Sequence, residues 1–179
     1  MKNLIYVLAL ALIAGSCSSG KKNEKRERAA NNMAMVQKFY DEVFNAHNPA
    51  LIDSLCHPDM VDHQRDPRYP EGNEGLKASF NDFFAGYPDV HVKSNWMIAK
   101  GDTVVVHFTM TGTNSGTMMG MPPTNKQINV DGVDIVVMKD GKATEHWGYM
   151  EESKMFTQLG LMPEPGAAPD TTASGSQPK

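Results

Sequence analysis

Only two cysteines, Cys17 and Cys56, occur among the 179 residues. With Cys17 at the end of an apolar N-terminal segment, no disulfide framework is available, and stability has to come from a packed core. C-x-x-C, H-E-x-x-H and G-x-S-x-G spacings are all missing, which sets aside the common zinc-hydrolase and serine-nucleophile layouts. Positive charge is scarce as well. Seventeen Lys and Arg stand against 21 Asp and Glu, for a net charge of -4, and no basic stripe marks a nucleic-acid surface. The N-terminal apolar run from Leu4 to Ile13 falls well short of the ~20 residues that a membrane span needs.

What is there at the two ends is non-globular in pattern. Lys2, the Leu4 to Ile13 run and the small residues Ala14-Gly15-Ser16 have the layout of a secretory signal over residues 1–16. Ordinary cleavage would release a protein beginning at Cys17. The same residues resemble a bacterial lipobox, with Ala14 where that pattern usually has leucine. An unpaired N-terminal cysteine suits an oxidising compartment poorly unless it is acylated, and the polar residues 17–30 suit a solvated tether. The expectation is an exported protein, anchored to a bacterial membrane by a lipid on Cys17. At the other end residues 163–179, "PEPGAAPDTTASGSQPK", are small, polar and proline-rich, as in a disordered tail. Residues 31–162 are the size of one domain.

Within that domain Met33, Val36, Phe39, Tyr40, Val43 and Phe44 recur at helical spacing. "NPALIDSL" predicts a second, short helix opened by Pro49 and ended by "HPD", and "MVDHQ" a brief strand. "NEGLKASFNDFFAGYP" repeats the helical signal, with Gly86 and Pro88 as stops. The period then changes to two. Val90, Val92, Trp96 and Ile98 predict one face of a strand; "VVVHFTMTGT", "KQINVDGVDIVVM" and "ATEHWGYM" predict three more, the last pair joined at Asp140-Gly141. A helix over "ESKMFTQLG" closes the order. Helices gathered ahead of hairpin-linked strands indicate an α+β fold, with a curved antiparallel sheet wrapped around helices and an apolar pocket between them.

The combination of "VQKFYDEVFNAHNPALIDSLCHPDMVDH", "GLKASFNDFFAGYPDVHV" and "TGTNSGTMMGMPPTNKQINVDGVDIVVMKDGKATEHWGYMEESKMFTQLG" resembles the SnoaL-like polyketide cyclase, or ester cyclase, family of the NTF2-like superfamily. The resemblance covers residues 33 to 161. It implies a cone-shaped NTF2-like α+β barrel, a homodimer, no metal or organic cofactor, and acid/base chemistry on a hydrophobic polyketide ester. The family's carboxylate follows the tryptophan by four residues, where this chain has Glu151 for the usual aspartate; Asn114 stands where histidine is usual.

Glu151 is therefore the first candidate acid/base group, expected beside the indole of Trp147 if the strand runs that far. Burial there would raise its pKa. The competing reading places Glu151 at the start of the last helix, where the macrodipole would lower it. His63 matches a polar pocket position and is the second catalytic candidate, equally readable as a structural histidine. Asp134 is the third, because it shares parity with Ile128, Val130, Val136 and Met138, and an acid on an apolar face needs partners. His146 and Trp147 have opposite parity, and Trp147 is the one expected to face the pocket. Tyr40, Phe44, Phe80, Phe84, Trp96, Met119 and Met121, with Trp147 and His146, are the candidate lining, though such residues are more often plain core. The cluster Cys56, His57, Asp59, His63 and Asp66 invites a metal reading, which Pro58 and the lack of any ligand spacing oppose. Two functions follow: a cofactor-independent cyclase or isomerase acting on a hydrophobic carbonyl compound, or a non-catalytic small-molecule-binding lipoprotein of the cell envelope.

Overall fold

The structure is a computed structural model, which describes residues 2–118, 120–164 and 166, with side chains from residue 20 onward. Helix α1 (Lys2–Lys38) runs directly into a π-helical segment, Phe39–Asn45. A 3-10 turn (Pro49–Leu51) and the short α2 (Ile52–Leu55) lead into β1 (Cys56–Asp62), followed by α3 (Gly72–Gly86). Four long strands come next: β2 (His91–Lys100), β3 (Thr103–Thr113), β4 (Gln127–Lys139) and β5 (Lys142–Met150). Helix α4 (Glu152–Gln158) closes the domain. Residues 20–30, within the expected solvated tether, are helical and mostly exposed, as their Lys, Glu, Arg and Ala content favours; Arg28 pairs with Asp102 at 3.1 Å across an exposed surface. Among the described residues no helix is long and apolar enough to cross a membrane. The lipidation expectation at Cys17 lies outside the described side chains, and the tail expectation mostly outside the described residues.

The sheet order is β1-β5-β4-β3-β2, with β1 parallel to β5 and every other pair antiparallel. The β4–β5 hairpin turns at Asp140 (φ 51°) and Gly141 (φ 76°), the two positive φ values that a two-residue turn of matching twist demands. β1 starts at Cys56, earlier than "MVDHQ" predicts. Pro58 is tolerated because β1 is an edge strand.

Two register shifts decide which side chains reach the interior. One lies between Ser94 and Trp96, so that Trp96 pairs with His107 and Met97 with Val106. Val92 and Met97 consequently face in, while Trp96 and Ile98 face out, 50% and 61% exposed. The other lies between Val137 and Met138, so that His146 sits opposite Val136 and Trp147 opposite Ile135. An extra residue in one strand inverts the facing of everything beyond it.

The inward residues of β3 and β4, Val104, Val106, Phe108, Met110, Ile128 and Val130, pack with Val36 and Tyr40 from the N-terminal helical run and Phe84 from α3. A second cluster joins Val43, Ile52, Leu55, Cys56 and Met60. Cys56 is 1% exposed and burial pushes its thiol up to about 12, as expected of a core cysteine.

Candidate functional site

Between the helices and the concave face of the sheet lies a cavity of about 240 Å³. Its wall is mostly Met, Phe, Val and Leu, including the expected Tyr40, Phe44 and Phe80. A second space of about 330 Å³ adjoins it under the 63–71 loop and α3, sharing Phe44, Met60, Gln64, Leu76, Phe80 and Met110. The second space, called the vestibule, also shares Met150 with the first.

Four polar side chains form one chain along the wall. The Tyr40 hydroxyl donates to Asp134 Oδ2. His146 Nε2 lies 3.3 Å from Asp134 Oδ1, and His146 Nδ1 lies 3.1 Å from Asp62 Oδ1. Tyr40, Asp134 and His146 line the inner cavity; Asp62 lines the vestibule. Each comes from a different element. Tyr40 sits in the π-helical segment, whose wider turn is a common feature of functional sites; Asn45 of that segment is held to Val92 of β2 by two hydrogen bonds of 2.8 and 2.9 Å. Asp134 and His146 point inward from β4 and β5, and Asp62 ends β1, directly beside His146 in the ladder.

A histidine with a carboxylate on each nitrogen donates twice, so it is held as the cation. Burial alone would lower the His146 pKa, but the hydrogen bonds and charges of Asp134 and Asp62 outweigh it and push it up to about 9. Burial would raise the Asp62 carboxyl; the hydrogen bond and charge of His146, the Gln64 backbone N–H and the charge of His63 bring it below its ordinary value instead. The Tyr40 hydroxyl is pushed far up by burial and then by the Asp134 charge, so it stays protonated as a donor.

The remaining candidates lie elsewhere. Glu151 does not turn into the barrel: it is exposed, accepting from Asp131 N–H at 3.0 Å and from Lys154 Nζ at 2.6 Å. Those donors hold its carboxyl below the usual range, the opposite of the raised pKa expected beside an indole. Trp147 also faces out. It stacks on His63, ring centroids 3.9 Å apart and 5° between planes, and His63 Nε2 meets Glu145 at 3.1 Å. His146, not Trp147, is the inward residue of the pair, because of the shift in β5. Trp96 stacks on His107 outside the sheet, Phe84 is core and stacks on His47, and Met121 is 47% exposed. Met119 lies outside the described residues. Of the metal cluster, His57 meets Asp59 and Asp66 binds Arg68, and among the described residues no three such side chains are disposed to hold a metal ion.

Sequence reasoning did not anticipate that Asp62 would bind His146 or that Gln64 would line the cavity. The signal was present in "MVDHQ": if His63 faces out of a regular strand, Asp62 must face in.

Taken together, the curved sheet, the covering helices and the linked tyrosine, aspartate and histidine define an α+β barrel with a largely apolar pocket that carries one polar chain on its wall. The chain belongs to the SnoaL-like polyketide cyclase family, whose model matches residues 34–159. Among solved structures, TsrD from Streptomyces laurentii is 24% identical, with a TM-score of 0.67 over 74% of this chain and 97% of that one. IdmH, a proposed polyketide cyclase from Streptomyces antibioticus, is 26% identical, with a TM-score of 0.63 over 72% and 98%. A proposed polyketide cyclase from Bacillus cereus is 28% identical, with a TM-score of 0.63 over 74% and 82%. No protein of curated function matches.

Proposed function

We propose that the protein is a cyclase or isomerase that moves protons on a hydrophobic, polyketide-ester-like carbonyl compound without a cofactor. The observation that carries this reading is the Tyr40–Asp134–His146–Asp62 chain along the wall of a largely apolar cavity and its neighbouring space. Asp134 is the acid/base. Each of its oxygens accepts one hydrogen bond and keeps a second lone pair, which can take a proton from the carbon beside a ligand carbonyl. In an aldol ring closure the C–H bond breaks, a C–C bond forms, and the same proton returns from Asp134 to the new alkoxide oxygen. The His146 cation donates to Asp134 and orients it for the step, and Asp62 holds His146 charged and oriented. Both act through Asp134 and are positioning residues.

The test is deuterium exchange of the methyl protons of 2-acetylnaphthalene in D2O, followed by NMR. The wild type should accelerate exchange over buffer and Asp134→Asn should not. Tight binding with no acceleration by the wild type would instead support the non-catalytic, small-molecule-binding reading.

Two further parts of the proposal concern context. The outward residues Val61, Trp96, Ile98 and Tyr149, 49% to 61% exposed, are a face on which two copies could pair as a homodimer. Ile98→Glu should then shift the mass read by light scattering from two chains to one. Lipid anchoring at Cys17 is supported by the lipobox-like "AGSC", and Cys17→Ala should abolish labelling of the expressed protein by a fatty-acid analogue.

A further inference from the structure

The polar groups lining the inner cavity can be counted by what they have left to offer a ligand. Tyr40 gives its one hydroxyl proton to Asp134. His146 gives both N–H groups to carboxylates, and Asp134 can only accept. Tyr149 also borders the cavity, but it shares the outward parity of Trp147 on β5 and is 55% exposed. The acid/base chain therefore leaves no side-chain donor for a ligand oxygen.

Gln64 is different. It lines both the inner cavity and the vestibule. Its Oε1 accepts from Gly148 N–H at 2.9 Å. β1 ends at Asp62, and the last ladder contact is His63 N–H to the His146 carbonyl at 2.9 Å. The Gln64 side chain thus takes the place of the next β1 carbonyl along the β5 edge. Because the Gly148 group is a donor, the oxygen of the amide must face it, and the orientation of the amide is fixed chemically. The Nε2 group, with two N–H donors, has no partner among the described residues.

Its position relative to the acid/base is set by Gly148. That residue pairs with Asp134 across the β4–β5 ladder. A Cβ there would lie 3.1 Å from Asp134 Oδ1 and 3.1 Å from His146 Cε1. The glycine keeps a gap open in front of both groups, and the Gln64 amide is anchored at its backbone.

We infer that Gln64 Nε2 is the donor that binds the carbonyl oxygen of the ligand, at the boundary of cavity and vestibule. The carbon beside that carbonyl is thereby presented to Asp134. This rests on the reading of the pocket as a site for carbonyl compounds. It adds a residue that selects for the carbonyl and, as the oxygen gains charge during proton removal, stabilises it. A site built around a donor discriminates against a ligand that lacks the acceptor.

The experiment compares the dissociation constants of 2-acetylnaphthalene and 2-ethylnaphthalene, alike in shape but differing in the oxygen, for the wild type, Gln64→Leu and Gln64→Glu. Gln64→Glu can still accept from Gly148 N–H but has no donor, so it separates donation from anchoring. The preference for the ketone over the hydrocarbon should fall about tenfold in both variants, the worth of one hydrogen bond. An unchanged preference in either variant overturns the assignment while leaving the acid/base reading intact, since that is judged by exchange in Asp134→Asn. Failure of the wild type to bind either probe overturns the assignment together with the reading of the pocket. Gln64 is exposed, and circular dichroism spectra of both variants should overlay that of the wild type.

Discussion

Raising the pH should discharge His146 and take stability with it. The folded-state pKa is raised from 6.5 to about 9, which corresponds to about 3 kcal/mol favouring the cation in the folded protein. That energy belongs to the Asp62–His146–Asp134 set as a whole and is counted once. For a group whose folded pKa is raised, the contribution is complete below the unfolded value, near pH 6.5, and is lost as the pH climbs through about 9. Urea unfolding of the wild type and of His146→Gln, at intervals between about pH 6 and pH 10, isolates the effect from other titrating groups. The gap in unfolding free energy should shrink by about 3 kcal/mol across that range, and the His146 ring protons should titrate near pH 9 by NMR. Exchange activity should decline over the same interval, because the neutral ring keeps only one N–H and can no longer donate to both Asp134 and Asp62. A pH-independent gap, or a ring that titrates near 6.5, would refute the reasoning.

Other consequences follow from the same geometry. Tyr40→Phe removes the donor to Asp134 Oδ2 and should cost about 2 kcal/mol in urea unfolding, with slower exchange; an unchanged stability would mean the hydroxyl is not engaged. Gly132→Ala would set a Cβ 2.3 Å from Phe108 Cζ and 2.8 Å from the Tyr149 carbonyl, so overpacking should cost about 1–3 kcal/mol, read as a lower unfolding midpoint. Glu151→Gln should leave exchange at the wild-type rate, because its carboxylate serves Asp131 and Lys154 outside the barrel. A loss matching that of Asp134→Asn would reinstate Glu151 as the acid.

The fold was legible because its signals are local and periodic. Helical spacing from Met33, the change to period two after Pro88, and Asp140-Gly141 each predicted an element that the structure contains. Asp134 was also readable, since its strand β4 alternates without interruption through Ile128, Val130, Val136 and Met138, all buried. The errors came from two single residues. With regular pairing from the Lys139–Lys142 end of the hairpin, Asp134 would stand opposite Trp147 and both would face in. The shift between Val137 and Met138, beside which Thr144 Oγ1 bonds the Val137 carbonyl at 3.1 Å, moves Gly148 opposite Asp134 and brings His146 inward. The shift near Asn95 sends Trp96 outward in the same way, where Asn95 bonds Thr109 at 2.8 Å. No composition signal marks either bulge. Each depends on a cross-strand partner distant in sequence, which periodicity along one strand does not contain.

The energetics of the wall bear on why the polar chain is there. Two carboxylates, an imidazole and a phenol set among methionine and phenylalanine side chains lose hydration, and their mutual hydrogen bonds serve mainly to offset that loss. Apolar residues of similar volume at Tyr40, Asp134, His146 and Asp62 together would leave the fold about as stable or more so, since replacing a whole buried ionic group in this manner is often neutral or favourable. Stability alone therefore does not account for the arrangement. Nor does plain retention of an apolar ligand, which the surrounding aromatic and aliphatic wall would achieve by itself. What the chain adds is a carboxylate held in place in a largely apolar pocket by a cation that both partners keep protonated well above neutral pH. A base so placed needs little reorganisation at the moment it takes a proton, and that is the property a proton-moving enzyme requires and a passive container does not.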